Sequence, residues 1–208
     1  MVEVLRTFTK DFRYLRDKER EEVHKDGDWH EVFHCWVLEK RLGEWWIYLQ
    51  QRSLKKKDYP GDLDITAAGH IEASERVEDG VRELHEELGI LVAFDELMSL
   101  GVIPYHIQTN QINDAEFAHV FLYVHKGELD DLIIQREELD GLYATRLSDF
   151  LDLIDESVHQ VSIEGYQYKE SVRVDETRFM TLEDLGALPK EYLYPLKARI
   201  ENVSLERV

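Results

Sequence analysis

The chain is short of cysteine, of positive charge and of long apolar runs, and each shortage narrows what it can be. One cysteine, Cys35, in 208 residues excludes an internal disulfide. Its neighbours Phe33, Trp36 and Val37 mark a buried strand position, so it reads as a structural thiol. Lysine and arginine total 25 against 44 aspartates and glutamates, a formal charge of −19. That balance argues against a nucleic-acid polymer or an anionic membrane as partner, because phosphate surfaces are bound through Lys/Arg patches. No apolar stretch approaches the roughly 20 residues that span a bilayer. The N-terminus MVEVLRTFTKDFRYLRDKER lacks an apolar core and a small-residue cleavage site, and the expected location is cytoplasmic.

What is present suits a globular enzyme. Apolar residues make up 43% and charged residues 33%, enough of each for a substantial core under a wet surface. The segments WHEVFHCWVL (29–38) and WWIYLQQ (45–51) are aromatic and β-branched, and predict a hairpin turning at residues 40–44. A loop, RSLKKKDYPGDLD, turns at Pro60-Gly61, and ITAAGHI (65–71) follows as one short strand. Val77, Val81, Leu84 and Leu88 recur at i, i+4, i+7 and i+11, an apolar stripe that docks a helix on a sheet, with Gly89 as its left-handed cap. Further strands are expected at 98–105 and 118–124 and a helix at 147–154. The last fifty or so residues predict a strand pair and then one or two helices, with Pro195 near a helix start.

The chemistry concentrates in GHIEASERVEDGVRELHEELGI, residues 69–90. Glu83, Glu86 and Glu87 stand at i, i+3 and i+4, within about a third of the helix circumference at roughly 100° per residue, opposite the apolar stripe. Three carboxylates so close repel one another unless a cation joins them. A hard divalent ion takes oxygen ligands and works between carboxylates and phosphates. A solvated acidic face gives the same pattern in isolation, so the surrounding residues decide.

Gly69, then Glu75, then Arg82-Glu83-Leu84-His85-Glu86-Glu87-Leu88-Gly89-Ile90 resembles the signature of the Nudix hydrolases, G-x5-E-x7-R-E-U-x-E-E-x-G-U with U aliphatic. Six residues, not seven, separate Glu75 from Arg82, which leaves Glu75 and Glu78 as alternatives for the first glutamate of the motif. The resemblance implies an α+β fold, the Nudix α/β/α sandwich around a mixed β-sheet, here with a C-terminal strand and helix extension. On that reading residues 1–27 pack on the domain, 28–155 form it and 156–208 extend it. It also implies Mg²⁺ or Mn²⁺ held by Glu83, Glu86 and Glu87, with Glu86 or Glu87 orienting or deprotonating the attacking water, and Arg82 bracing a carboxylate.

Within that superfamily, residues from about 20 to 150 are most similar to the isopentenyl-diphosphate isomerases and their hydrolase relatives. The likeness rests on Arg20-Glu21-Glu22-Val23-His24, Trp29-His30, Gln51-Arg52-Ser53-Leu54 with the lysines 55–57, Gly69-His70 and Asp114-Ala115-Glu116. It implies a second divalent metal at His24, His30, His70, Asp114 and Glu116. It also implies diphosphate contacts from Arg52 and Lys56; of the four tryptophans, taken as core or hairpin packing, Trp29 is the one expected to line a pocket. Ala68 stands at the position of the isomerase's catalytic cysteine, and a methyl group can neither give nor take a proton. The expected function is therefore hydrolysis of a diphosphate bond in a small molecule, such as a nucleoside diphosphate derivative or an isoprenoid-type diphosphate. The alternatives are isomerase-like activity and a non-catalytic binding module of the same fold. A homodimer is expected from symmetry statistics alone.

Overall fold

The run Trp29–Arg41 forms a single strand of 13 residues, buried without a break from His30 to Glu39. Both of its faces are covered, which is why its sequence is apolar almost throughout rather than alternating. Val32, Trp36 and Leu38 enter one core, while Phe33, Cys35 and Val37 enter another on the opposite face. In this computed structural model, which describes residues 2–109, 112–186 and 188–205, that strand is β3. Met1, Ala187 and residues 206–208, which belong to the expected terminal segments, lie outside the described residues.

The elements run β1 (Val4–Phe8), β2 (Tyr14–Glu19), α1 (Arg20–Asp26), β3 (Trp29–Arg41), β4 (Glu44–Arg52), β5 (Leu63–Ile65), β6 (Ala67–His70), α2 (Arg82–Leu88), β7 (Met98–Gln108), β8 (Asn113–Val124), β9 (Leu139–Arg146), α3 (Leu147–Ile154), β10 (Val161–Lys169), β11 (Val172–Met180) and α4 (Lys190–Asn202). One edge of β3 carries β8 in parallel from Trp29↔Ala115 to Leu38↔Val124. The other edge carries β1, β6 and β4 in turn, all antiparallel. The result is a mixed sheet with helices on both faces. Leu84 and Leu88 of α2 pack in the core containing Cys35, while Phe150 of α3 and Leu193, Leu196 and Ile200 of α4 pack in the core containing Trp36.

Several local expectations change. The hairpin between β3 and β4 closes on Leu42 and Gly43, whose φ values of 50° and 90° give the tight turn that suits twisted strands, so the strands extend into the expected 40–44 loop. Residues 65–71 form two strands, not one. The chain leaves β4 after Ile65 and joins β3 at Ala67, and Thr66 bridges the switch by donating to Tyr48 O (2.5 Å) and accepting from Val37 N–H (3.0 Å). The two strands expected at 98–105 and 118–124 run on to Gln108 and back to Asn113, while α3 occupies the expected 147–154. Pro189, not Pro195, begins α4; Pro195 lies inside the helix, where it removes one backbone donor. Among the described residues no helix is long and apolar enough to cross a membrane.

Candidate functional site

The regular helix starts at Arg82. Val77–Val81 is a 3₁₀ turn, so only the second half of the expected helix is α. Gly89, at φ 71°, closes it with its N–H on His85 O. The helix lies against β6 so closely that a Cβ on Gly69 would stand 2.0 Å from Glu83 Oε1. Glycine there leaves the space in which the Glu83 carboxylate lies, so any side chain at 69 would displace that carboxylate. The three glutamates do not all lie opposite the apolar stripe, as their spacing suggested. Glu86 is exposed, but Glu83 and Glu87 are only 8% and 6% exposed. One helical turn apart, they flank the Leu84/Leu88 stripe and turn toward β6, where Ala68 N–H donates to Glu87 Oε2 at 3.2 Å.

Arg82 holds the acids in place. It donates through Nε and Nη2 to the two oxygens of Glu75 at 2.7 and 3.2 Å, through Nη1 to Glu83 and to Glu86 (3.2 Å), and through Nη2 to His70 O at 3.1 Å. Of the two alternatives for the first glutamate, Glu75 is therefore tied to this cluster, and Glu78 is exposed. Burial pushes the Glu83 carboxyl up to about 7, with Arg82 opposing and Glu86 reinforcing the shift. Glu87 is pushed well above the usual carboxylate range, first by burial and then by Glu83.

A second group forms where α1, β3, β6 and β8 meet. The registers Val32↔His70 and His30↔Glu116 bring one residue from each strand to the same place. His24 Nε2 lies 3.2 Å from His70 Nε2, and Asp114 Oδ1 lies 3.9 Å from His24 and 3.6 Å from His30 Nε2. His24, His30 and His70 form one set whose ligand atoms all lie within 4.8 Å of each other, and His30, Asp114 and Glu116 form another. His30 Nε2 and Asp114 Oδ1 are buried without a hydrogen-bond partner. Burial also pushes the His30 imidazole down to about 3, so it is neutral, the form that can donate a lone pair. Its Nδ1 is 3.1 Å from Asp28 O, which leaves Nε2 facing the cluster. Among the described residues the glutamates of α2 make no comparably tight set; Arg82 pairs with Glu83 and Glu86, while Glu87 accepts from Ala68 N–H.

The cations are committed within the protein. Arg52 donates to Asp64 Oδ2 at 2.8 Å and to Asp58 O at 3.2 and 3.0 Å. Lys56 pairs with Glu138, and its ammonium is pushed down by burial and by Arg52 while Glu87 and Glu83 oppose the shift. Lys56 therefore lies within electrostatic reach of the acidic helix. Trp29 sits on the face of β3 opposite His30, against Phe117 (4.7 Å between ring centroids) and His106 (6.2 Å). It belongs to an aromatic group away from the histidines rather than to their pocket. Cys35 is fully buried on the α2 side.

Three participants were not singled out as site residues from the sequence. Asp64 is 5% exposed, pairs with Arg52 and lies close enough to Glu87 and Glu116 to raise both. Tyr105 stands opposite Glu116 across β7 and β8 and donates its hydroxyl to Glu116 Oε2. Glu3 accepts from His70 Nδ1 at 2.9 Å. A charge inside the run LDI was the one available hint for Asp64. Tyr105 depends on strand register, and Glu3 sits just before β1.

Comparison with known proteins agrees with this architecture. The family model for the NUDIX domain matches residues 28–163. An uncharacterized Nudix hydrolase of Clostridium acetobutylicum is 34% identical over 92% of this chain and 93% of its own. Nudix hydrolase 3 of Arabidopsis thaliana is 36% identical over 60% of this chain, which corresponds to 17% of that longer protein. A Deinococcus radiodurans crystal structure superposes with a TM-score of 0.53 at 19% identity, covering 74% of this chain and 90% of the other. A MutT/nudix family protein of Enterococcus faecalis gives 0.51 at 12% identity over 83% and 61%. The chain belongs to the Nudix hydrolase family, enzymes that hydrolyse diphosphate bonds in small molecules, generally nucleoside diphosphate derivatives.

Proposed function

We propose that this chain hydrolyses the diphosphate bond of a small nucleoside diphosphate derivative or isoprenoid-type diphosphate, using divalent metal at the acidic helix. The observation that carries the reading is the pair of buried carboxylates, Glu83 and Glu87, both turned toward β6 and in electrostatic reach of Lys56. Two buried carboxyls raise each other's cost of ionisation, and a hard cation offsets that cost while using their oxygens. Glu83, Glu86 and Glu87 would hold Mg²⁺ or Mn²⁺, which supplies neutralisation of the diphosphate oxygens and acidification of the attacking water. Glu86, exposed on the helix, would serve as general base toward the attacking water. Arg82 keeps Glu75, Glu83 and Glu86 in register without touching substrate, and Lys56, once freed from Glu138, meets the phosphates. Arg52 orients Asp64 from one side of the same site.

The histidine cluster would hold a second divalent ion. Its orphaned His30 Nε2 and Asp114 Oδ1 fit a ligand set of neutral imidazole and carboxylate, suited to Mn²⁺ or Zn²⁺. That cluster also favours an isomerase-like reading, which Ala68 opposes; Cys35 offers no substitute, because burial pushes its thiol far up on the wrong face of the sheet. A panel of small diphosphates assayed with Mg²⁺, Mn²⁺ or chelator separates the readings. Metal-dependent release of phosphate or a monophosphate, abolished in Glu86→Gln or Glu87→Gln, is expected. Isomerisation that exchanges allylic hydrogens in deuterated water, without phosphate release, would overturn it.

A further inference from the structure

We propose that Tyr192, on the C-terminal helix α4, is a positioning residue for Glu116, acting through the imidazole of His34. The inference rests on the histidine-cluster reading only in taking Glu116 as a ligand. Tyr192 and Trp36 are wholly buried and His34 is 4% exposed. Trp36 Nε1 donates to the Tyr192 hydroxyl oxygen at 3.1 Å, and His34 Nδ1 lies 3.2 Å from the same oxygen. His34 Nε2 stands 3.7 Å from Glu116 Oε2, the oxygen that also accepts from the Tyr105 hydroxyl.

Counting hydrogens assigns the tautomer. An indole N–H can only donate, and a phenol has one hydrogen to give. With the Tyr192 oxygen taken by Trp36, its hydrogen goes to His34 Nδ1. The single hydrogen of the neutral imidazole is then on Nε2, facing Glu116. The other tautomer puts two donors on one phenol oxygen and strands the phenol hydrogen in the core. A buried polar group left unpaired costs about 1–3 kcal/mol, so the first arrangement wins. Tyr105 holds Glu116 Oε2 by a hydrogen bond, and His34 Nε2–H lies 3.7 Å from the same oxygen, an electrostatic contact longer than a hydrogen bond that biases the rotation of the carboxyl beside His30 and Asp114. The last helix of the chain is in this way wired to the ligand cluster across 158 positions of sequence.

The test has two readouts on the full chain. Long-range ¹H–¹⁵N correlation of the metal-free protein, with His34 assigned through His34→Gln, reports the tautomer directly. Nε2–H is expected in the wild type, and Nδ1–H in the wild type overturns the proposal. Titration with Mn²⁺, followed by electron paramagnetic resonance, is expected to show about tenfold weaker binding at the histidine cluster in Tyr192→Phe, the lower range for loss of a supporting partner. His34→Gln keeps an N–H near the Nε2 position and is expected to retain wild-type affinity, whereas His34→Phe loses it. Equal affinity of the Gln and Phe variants, with unchanged thermal melts, overturns the positioning role. A wild-type protein that binds no Mn²⁺ at the cluster sinks the second-metal reading instead, and the tautomer measurement still decides this one.

Discussion

At position 69 a hydrogen fits where any other residue would place a carbon 2.0 Å from a carboxylate oxygen. Gly69→Ala must push the Glu83 carboxylate off β6. We expect at least tenfold weaker Mn²⁺ binding with the fold intact, measured by calorimetric titration and circular dichroism. Glu83 also gives a pH dependence. Its carboxyl is raised in the folded chain to about 7, so without metal it favours folding while protonated, below the ordinary carboxylate range, and that contribution is lost as pH rises through about 7. At about 1.4 kcal/mol per unit the loss is on the order of 3 kcal/mol at most. In chelator, wild-type melting temperature should fall from pH 5 to pH 8 more steeply than that of Glu83→Gln, and metal should remove the difference. Parallel curves would show that Glu83 is ionised throughout.

At the scale of elements, α2 is short, seven residues, and depends on packing rather than on its own helical propensity. Leu84→Ala, at a fully buried position in the α2-side core, should cost about 2–5 kcal/mol and loosen the glutamates with it, seen as a lower urea midpoint and weaker metal binding together. The opposite sign is expected in α4. Pro195 deprives the helix of a donor in its interior, and Pro195→Ala should raise stability by about 1–2 kcal/mol, the helix gain outweighing the smaller entropy that proline removes from the unfolded chain. Differential scanning calorimetry reads this as a few degrees upward. A drop would mean that the proline ring's own packing matters more than its missing hydrogen.

For the molecule as a whole, the charge of −19 and the buried acids both favour cations. A divalent ion that binds the folded state alone stabilises it by about 2.7 kcal/mol at a hundredfold excess over its dissociation constant. Melting temperature should therefore climb with Mg²⁺ or Mn²⁺ and not with equal ionic strength of Na⁺. The C-terminal hairpin and helix contact the rest of the sheet directly. β10 pairs with β9, and Arg199 of α4 donates to Leu100 O and Val102 O on β7 at 2.7 and 2.8 Å.

Local patterning determined much of this protein. Period-2 and apolar runs place β3, β4, β7 and β8, the apolar stripe and Gly89 place α2, and the spacing of Arg82, Glu83, Glu86 and Glu87 marks the site, because these signals are carried by neighbours in sequence. What neighbours cannot encode is which face of a strand or helix ends up covered. Burial of Glu83 and Glu87, the grouping of His24, His30, His70, Asp114 and Glu116, and the placing of Trp29 on the other face all follow from strand register and from how closely α2 lies on Gly69. Asp64, Tyr105 and Tyr192 are far from the motif along the chain and reach it only through the folded sheet and α4. The sequence named the acids, and the tertiary structure decided which are buried and what holds them, since burial and register arise only when distant segments pack.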